Sequence, residues 1–576
     1  MNSLLQRAGA GSVLAVLCAT PCHAAPALQG RWEGEVQVPG APLTLIVDLA
    51  QGEASSWTGS VVMPGLGIKG AAIGDISVTD SGITFTMSGI MKAGGAAPPR
   101  ISAHLTGAGA LTGDFEQAGN RAHFTLNRIG PAQVEVAPNS TLVSGEAGGA
   151  AKGQPPCCAE SAAAPTFRGD AAHSGEYASQ APRQFHRVKW KFATGDRVVS
   201  SAVWHDKVLY FGSDDGNVYA VEAETGHQLW KRTTGGPVPA TPAVADGRIY
   251  VGSYDGKFYA LDERTGTPVW TFVTSGERRF EGKGLHGLQP KNQTFADPFD
   301  VFLSSPVVAQ GVVYFGSGDG HVYAVDAATG ELRWKFQTGD AVHASPAYAG
   351  GVLYFGSWDS YFYAVDAATG QQKWRFKSGE DPLIHNQVGF QSSPVVANGV
   401  VYTGCRDAHL YAIDAASGKE KWRFPTDGSW VVSSPAVSGG RVFFATSDSS
   451  LYLVLDAETG KPVLQQQSKA YVFSSPSIAG EVVLLGVLNG TLEARDRTSG
   501  GLLWEYQTDA SRRNIGWALT SERKFNAPLI FHSAWNQAPL VGVERQFSVG
   551  SIFSSPLVVD GVVYFGSADG NLYAID

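Results

Sequence analysis

The chain has 576 residues, a formal net charge of −9 and an isoelectric point near 5.8. This acidic balance argues against a nucleic-acid partner, because proteins that bind nucleic acids present basic surfaces. The sequence contains no Cys-x-x-Cys-His for covalent haem, no Gly-x-Ser-x-Gly nucleophile elbow, no phosphate-binding Gly-Lys-Ser/Thr loop and no His-Glu-x-x-His. Several common enzyme classes are therefore excluded on motif grounds.

Residues 1–24 are predicted to form a secretory signal peptide. Arg7 precedes an apolar run over 8–20, and Ala24 is a small residue of the kind that signal peptidases recognise. The run is too short to span a bilayer, and no other apolar stretch approaches the roughly 20 residues required. Cys18 and Cys22 lack the Leu-small-small context of a lipoprotein signal. We therefore expect a periplasmic or secreted protein with no lipid anchor and no transmembrane segment.

Residues 25–130 are predicted to form a small antiparallel β-domain. Alternating apolar and polar residues from Leu43 to Leu49, with Gly-rich turns elsewhere, are typical of strands with one buried face. The segment resembles the small barrel-like modules attached to several secreted bacterial hydrolases. An apolar ligand in the barrel mouth is one alternative, and a core filled by side chains is commoner at this size.

Residues 131–165 are rich in Ala, Gly, Pro and Glu, which predicts a flexible linker. The linker contains the adjacent pair Cys157 and Cys158, and Cys405 is the one other cysteine after the signal peptide. Three cysteines leave at least one unpaired within a monomer. A strained vicinal disulfide, a bond to Cys405 and an intermolecular bond all remain open.

Residues 166–576 repeat one pattern with a period of about 40 residues. Each copy has a Ser-Ser-Pro-Val-Val run, a Val-Tyr-Phe-Gly-Ser run, an Asp-Gly turn, a Val-Tyr-Ala-Val-Asp run, a Thr-Gly turn and a Trp strand. Short β-branched and aromatic runs separated by Gly turns predict four antiparallel strands, which is one blade of a β-propeller. The eight copies begin near Ser200, Ala240, Ser304, Ala344, Ser392, Ser433, Ser474 and Ser554.

The last copy ends at Asp576, after its third strand. A Trp strand without its own three partners lies at 188–195, around Trp190. Pairing of this early strand with the last copy would close the ring and remove exposed sheet edges. The fold class is therefore predicted to be all-β, an eight-bladed propeller closed by an N-terminal strand and preceded by a small antiparallel barrel-like domain.

The repeat Ala324-x-Asp326-x-x-Thr329-Gly330-x-x-x-Trp334 resembles the tryptophan-docking repeat of the pyrroloquinoline quinone (PQQ) propeller superfamily. That superfamily includes quinoprotein alcohol dehydrogenases and the non-enzymatic propeller lipoprotein of the outer-membrane barrel-assembly machine. The resemblance implies that the repeat tryptophans lock neighbouring blades together and do not hold a cofactor. They are Trp190, Trp230, Trp270, Trp334, Trp374, Trp422 and Trp504.

Three insertions, 278–302, 380–391 and 511–553, interrupt the period. All three join the last strand of one blade to the first strand of the next, so they share one face of the ring. We therefore expect a pocket or docking surface on that face. The binding-face candidates are His286, His343, Trp358, His385, Asn386, Gln391, Arg406, Trp430, Arg512, Arg513 and Trp535.

Oxygen-bearing side chains in the insertions could hold calcium, which prefers six to eight oxygen ligands. Their spacing matches no compact calcium loop, so the sequence does not identify a metal site. A catalytic carboxylate is equally unidentified, and Asp297 and Asp300 are the candidates.

The preferred interpretation is a non-enzymatic propeller, expected as a monomer, that binds a protein or polymer partner in the cell envelope. The alternative implied by the resemblance is a quinoprotein dehydrogenase that oxidises an alcohol or sugar with PQQ and calcium. In that case Asp297 or Asp300 would be the base, Arg406 or Arg513 would contact the quinone, and Trp430 would lie beneath it. A carbohydrate-active enzyme with a carboxylate pair is a third alternative.

Overall fold

The computed structural model describes residues 28–37, 43–51, 56–63, 68–79, 82–87, 100–106, 109–117, 120–132, 165–288, 290, 292–379, 389–531 and 538–576. The predicted signal peptide, most of the predicted linker and the Cys157–Cys158 pair lie outside these ranges. The chain separates into two compact units, one built mainly from residues before 141 and one mainly from residues after it.

The first unit is a closed antiparallel barrel, which confirms the barrel-like prediction. Its strands are β1 (Gly30–Gln37), β2 (Leu43–Gln51), β3 (Trp57–Met63), β4 (Ile68–Val78), β5 (Gly82–Met87), β6 (Arg100–Leu105), β7 (Leu111–Gln117) and β8 (Asn120–Gly130). β1 pairs with β8 and closes the barrel. Trp32, Phe85 and Phe124 are fully buried inside it, so side chains fill the interior.

The second unit is a propeller of eight four-stranded blades, as predicted. A short strand β9 (Glu176–Tyr177) and the strand β10 (Val188–Ala193) precede the blades. Blade 1 contains β11 (Val203–His205), β12 (Val208–Gly212), β13 (Asn217–Glu222) and β14 (Gln228–Thr233). Blade 2 contains β15 (Ala243–Ala245), β16 (Arg248–Ser253), β17 (Lys257–Asp262) and β18 (Pro268–Val273).

The first insertion, between blades 2 and 3, carries β19 (Glu281–Lys283), a 3-10 helix (Leu285–Gly287) and β20 (Thr294–Ala296). Blade 3 contains β21 (Val307–Ala309), β22 (Val312–Gly316), β23 (His321–Asp326) and β24 (Leu332–Gln337). Blade 4 contains β25 (Ala347–Ala349), β26 (Val352–Gly356), β27 (Tyr361–Asp366) and β28 (Gln372–Lys377). Blade 5 contains β29 (Val395–Ala397), β30 (Val400–Cys405), β31 (His409–Asp414) and β32 (Glu420–Pro425).

Blade 6 contains β33 (Ala436–Ser438), β34 (Arg441–Ala445), β35 (Leu451–Asp456) and β36 (Pro462–Gln467). Blade 7 contains β37 (Ser477–Ala479), β38 (Val482–Gly486), β39 (Thr491–Asp496) and β40 (Leu502–Gln507). The third insertion carries α1 (Asp509–Arg513), α2 (Ala527–Ile530) and α3 (Ala538–Ser548). Blade 8 contains β41 (Leu557–Val559), β42 (Val562–Gly566) and β43 (Asn571–Ile575), with β10 as its outermost strand.

The ring closes as the sequence predicts. β10 pairs antiparallel with β43, with Trp190 opposite Ala574. The outermost strand of the last blade therefore comes from the beginning of the propeller, so unfolding either end opens the ring. Within the described residues, no helix is long and apolar enough to cross a bilayer.

Six of the seven repeat tryptophans donate a hydrogen bond to the next blade, and Trp504 donates to Pro182 instead. The Trp270 indole N–H donates to the carbonyl of Ala327 at 3.1 Å, and Trp334 makes the same bond to Ala367 at 3.0 Å. Gly330 lies over the Trp270 ring with φ +75, so close that a Cβ there would be 2.6 Å from the indole. The Thr-Gly turn therefore requires glycine for two reasons, its left-handed backbone and the contact with the ring.

The innermost strands surround the axis with a ring of hydroxyls. In seven of the eight blades the backbone amide of one ring member donates to the hydroxyl of the next at 2.8–3.1 Å. The ring members are Ser201, Thr241, Ser305, Ser345, Ser393, Ser434, Ser475 and Ser555. These hydrogen bonds join neighbouring blades at the axis.

Candidate functional site

The insertion face of the propeller is closed over the axis by aromatic side chains. Phe299 and Phe302 of the first insertion pack with Phe473, Phe547 and Phe553 in one apolar cluster. Beneath this layer lies an axial cavity of about 40 Å³, bounded at its other end by Phe167. That volume accommodates one or two water molecules and no larger ligand.

Arg406 lies at the centre of a fully buried cluster on this face. Its guanidinium donates to Asp297 Oδ2 at 2.6 Å and twice to Gln391 Oε1, at 2.9 and 2.6 Å. It also lies between two indole rings, 4.4 Å from the centre of Trp358 and 4.2 Å from that of Trp430. Stacking between two aromatic faces stabilises a desolvated cation. We call these five residues and His286 the arginine cluster.

Asp297 is the negative partner in the arginine cluster. It accepts from His286 Nε2 at 3.2 Å and from the backbone amide of Phe299 at 2.8 Å. Burial alone would raise the pKa of Asp297, but the Arg406 guanidinium and His286 hold it well below its usual range. The carboxylate is therefore ionised, and its hydrogen bonds are made within the protein.

A second buried network adjoins the first and is centred on His343. Asp300 accepts from His343 Nδ1 at 2.8 Å, and Glu277 contacts His343 Nε2 at 3.1 Å. Burial alone would lower the pKa of His343, yet the two carboxylates raise it to about 10. His343 is therefore an imidazolium at neutral pH, which makes it a charged structural link and leaves it no free nitrogen to act as a base.

Local sequence explains why Arg406 and Trp358 reach the axis. In blades 1, 2, 3 and 8 the turn between the second and third strands contains Asp-Gly, whereas blades 4 and 5 have Asp359-Ser360 and Asp407-Ala408. Ser360 and Ala408 still adopt the left-handed conformation, with φ of +71 and +65. The turn geometry is thus kept, at a cost of about 1 kcal/mol per residue.

The structure brings six of the predicted binding-face residues into these two networks, together with the carboxylate candidates Asp297 and Asp300. The six are His286, His343, Trp358, Gln391, Arg406 and Trp430. Within the described part of the chain, the predicted residues on solvent are Arg512 and Arg513 of α1. Arg512 pairs with Asp509 at 2.5 Å. His385, Asn386 and Trp535 lie outside the described residues, so their placement stays a prediction.

Sequence reasoning missed Glu277 and Phe280. Glu277 accepts from Ser317 Oγ at 2.9 Å as well as contacting His343, and Phe280 stacks on Trp358 with ring centres 4.3 Å apart. Their position was the one sequence feature that could have identified them, since both residues lie where the chain leaves blade 2 and enters the first insertion. Nothing in the repeat marks them, because each belongs to a segment that the other copies lack.

The described residues contain neither an arranged set of metal ligands nor a reactive thiol. No group of three or more His, Cys, Asp or Glu side chains there is arranged to hold a metal ion. Cys405 is a buried free thiol against the Gly389 carbonyl, and burial raises its pKa well above the ordinary value. A thiol in this state is not nucleophilic at neutral pH.

A family model described as the outer membrane protein assembly factor BamB matches residues 172–281, 287–389 and 363–576. Together these segments cover more than half of the chain and nearly all of the propeller. No curated protein matches the sequence.

Solved structures with similar folds come from both branches of the propeller superfamily. BamB from Moraxella catarrhalis is 15% identical, with a TM-score of 0.50 over 68% of this chain and 99% of that one. The quinohemoprotein alcohol dehydrogenase from Comamonas testosteroni is 16% identical, with a TM-score of 0.52 over 71% and 80%. A europium-containing methanol dehydrogenase is 14% identical, with a TM-score of 0.52 over 71% and 98%. At these identities the likeness shows the fold alone.

Proposed function

This chain belongs to the family of the outer membrane protein assembly factor BamB, and from that premise we propose that it is a non-enzymatic scaffold of the cell envelope. In this proposal the propeller binds a protein or polymer partner on its insertion face, as an extracytoplasmic monomer. The family description supports a protein partner that takes part in outer-membrane assembly.

The observation that carries the proposal is the filled axis. Small-molecule and cofactor sites occupy about 300–1,000 Å³, whereas the axial cavity here measures about 40 Å³. The residues that a propeller dehydrogenase would direct toward a ligand contact one another instead. Three of the five N–H groups of Arg406 donate to Asp297 and Gln391, and the side chain has no exposure to solvent, so an external carboxylate does not reach it.

The same geometry bears on the alternative, a PQQ-dependent dehydrogenase. A tricyclic quinone such as PQQ does not fit the axial cavity, and reaching Arg406 would require displacing Trp358 or Trp430 from its two faces. The described residues therefore do not fit this cofactor. Calcium has no ligand cluster among them either.

The third insertion provides the surface that suits a partner. Ile515 and Phe531 are 43% and 37% exposed, and Arg512 and Arg513 lie on solvent on α1. Exposed apolar residues beside arginines are typical of the residues that dominate binding energy in protein interfaces. Arg406 and Trp430, being buried, would support this face from below without touching a partner.

The experiment is capture of envelope partners by the purified protein, compared with the variant Arg513→Glu/Ile515→Glu. Leu229→Glu is the matched control, because Leu229 is 51% exposed on the outer strand of blade 1, away from the insertion face. We expect the double variant to lose a partner that the control retains. Equal capture by both variants would contradict the proposed face.

Titration with PQQ in the presence and absence of calcium tests the alternative directly. We expect no saturable quenching of tryptophan fluorescence. Tight, one-to-one, calcium-dependent binding would overturn the scaffold proposal in favour of a dehydrogenase.

The proposal also includes export. Residues 1–24 would be removed as a signal peptide, leaving a mature chain that begins at Ala25. Mass spectrometry of the protein recovered from the periplasm would show this mass, and a full-length cytoplasmic protein would contradict it.

A further inference from the structure

The propeller has a groove of about 480 Å³ on the face opposite the insertions. Its floor consists of Val203 in β11 and Leu557 and Val558 in β41, so it lies between the innermost strands of blades 1 and 8. Trp204 and Tyr177 form half-buried walls. The groove is within the range of volumes that hold ligands.

A segment of the chain itself shows how this face binds a polypeptide. Residues 165–179 run around the axis beneath the hydroxyl ring, and their carbonyl groups accept hydrogen bonds from the middle residue of the innermost strands. The bonds are Val244 to Pro165, Tyr348 to Ala171, Val396 to Ala172, Val437 to Ser174 and Ile478 to Gly175, at 2.7–3.2 Å. Five of the eight blades thus each donate one backbone hydrogen bond to this segment, and its residues Glu176–Tyr177 (β9) pair with β37 as a short parallel strand.

Buried side chains fix this axial segment in place. Arg168 donates to the carbonyls of Pro476 and Pro435 at 2.7 and 3.0 Å, and Thr166 donates to that of Pro306 at 2.7 Å. His173 contacts the Pro394 carbonyl through Nδ1 at 3.1 Å. The segment begins at blade 2 and ends near blade 8, where Ser179 accepts from the amide of Gly561.

The axial segment therefore leaves the inner edge open at the groove. Trp204 and Val558 are the middle residues of β11 and β41, and neither amide has an acceptor within the described chain. Val308 in blade 3 shares this property but does not line the groove. Unpaired strand edges readily accept an added strand.

We propose that this groove binds an extended, apolar peptide segment of a partner protein, added as a strand to the inner edges of β11 and β41. The peptide would continue the pattern set by the axial segment, with its carbonyl groups accepting from Trp204 and Val558 and an apolar side chain packed between Trp204 and Tyr177. The inference is independent of the proposed function of the insertion face, because the two surfaces lie at opposite ends of the strands.

The test uses a fluorescein-labelled heptapeptide, Thr-Val-Thr-Phe-Thr-Val-Thr, whose alternation favours a strand. Fluorescence anisotropy measures its affinity for the full-length protein. Hydrogen exchange of the amides in Val203–His205 and Leu557–Val559 reports the place of binding. We expect saturable binding and slower exchange in both strands.

A backbone control separates strand addition from apolar adhesion. The same peptide with N-methylated amides keeps its side chains and carbonyl groups, but the methyl groups prevent its backbone from approaching a strand edge closely enough to accept from Trp204 and Val558. We expect at least about tenfold weaker binding, the equivalent of ~1.4 kcal/mol. Equal affinity for both peptides would overturn strand addition.

A matched pair of variants locates the site. Ala178→Trp fills the groove from an exposed wall position, and Ala416→Trp places the same side chain on an exposed turn of blade 5. We expect about tenfold weaker peptide binding for the first variant and unchanged binding for the second.

Three results would overturn the proposal. One is equal binding by the two variants, and another is no binding up to the solubility limit of the peptide. The third is strong exchange protection of both strands before any peptide is added, because it would show that the chain fills its own groove. Loss of peptide binding would leave capture on the insertion face unchanged, so the two proposals fail separately.

Discussion

Asp297→Asn is the change that most directly tests whether the arginine cluster holds the first insertion in place. Asparagine keeps the size of the side chain and can still accept from the Phe299 amide, so the variant removes mainly the charge. Arg406 would then be buried without a counter-ion. Breaking a buried ion pair by removing one partner costs about 3–5 kcal/mol.

A surface pair provides the matched control. Arg423 and Glu420 are 2.8 Å apart, close to the 2.6 Å between Arg406 and Asp297, but their side chains are 47% and 26% exposed whereas the buried pair has no exposure. Glu420→Gln should cost at most about 1 kcal/mol, because water screens the exposed pair. Burial, and not distance, is therefore the variable that differs.

The assay is amide hydrogen exchange over residues 278–302, where the backbone amide of Asp297 donates to Phe280 and that of Leu288 donates to Leu285. A loss of about 3–5 kcal/mol raises the local opening constant about a hundredfold to several thousandfold. The double variant Asp297→Asn/Arg406→Met should recover most of the protection, since it leaves no unpaired charge. An increase in exchange of less than fivefold for Asp297→Asn would refute the reasoning.

Three further results are expected. At pH 6 the wild type should be more stable than His343→Gln, and the difference should shrink as the pH rises from about 6.5 to about 10, because the raised pKa makes the folded state bind the extra proton. A difference in the free energy of urea unfolding that stays constant across that pH range would contradict this. Gly330→Ala should cost several kcal/mol of stability, because the residue has a positive φ and its Cβ would collide with the Trp270 indole. Gly311→Ala, with φ +71 and open space around its Cβ position, should cost about 1 kcal/mol. Similar losses for the two variants in thermal unfolding would show that the indole contact contributes nothing. Trp504→Phe should lower stability by about 1 kcal/mol, because the indole N–H that donates to the half-buried Pro182 carbonyl at 2.8 Å is lost. An unchanged unfolding midpoint would exclude that bond as a closure element.

The blades could be predicted from sequence because the residues that determine each blade lie within that blade's own repeat. Periodic β-branched residues, Gly turns and a tryptophan encode local geometry, and the truncated last copy together with the early Trp190 strand indicates circular closure. All of these signals lie within about 40 residues of the structure they determine. The barrel follows from the same alternation over a shorter length.

The candidate site was only partly predictable, and the reason is distance along the chain. Arg406 and Trp358 were recognisable because they replace small residues in a turn, and Asp297 because it lies in an insertion. The contact between Asp297 and Arg406 spans 109 residues and is not encoded in any local pattern. A departure from the repeat marks a residue that the fold uses differently, but it does not show whether that residue faces a ligand or another side chain.

The two ends of the propeller therefore have different chemistry. On the insertion face, charge is neutralised internally, with Arg406 against Asp297 and His343 between two carboxylates, and the described residues leave an axial cavity of about 40 Å³. On the opposite face, the axial segment satisfies backbone donors in most blades but leaves those of Trp204 and Val558 open. Buried ion pairs are expensive unless every partner is present, whereas an open strand edge costs little while water reaches it and gains bonds when a chain arrives. The proposed scaffold function and the proposed peptide groove rest on this difference between the filled axis at one end and the open strand edges at the other.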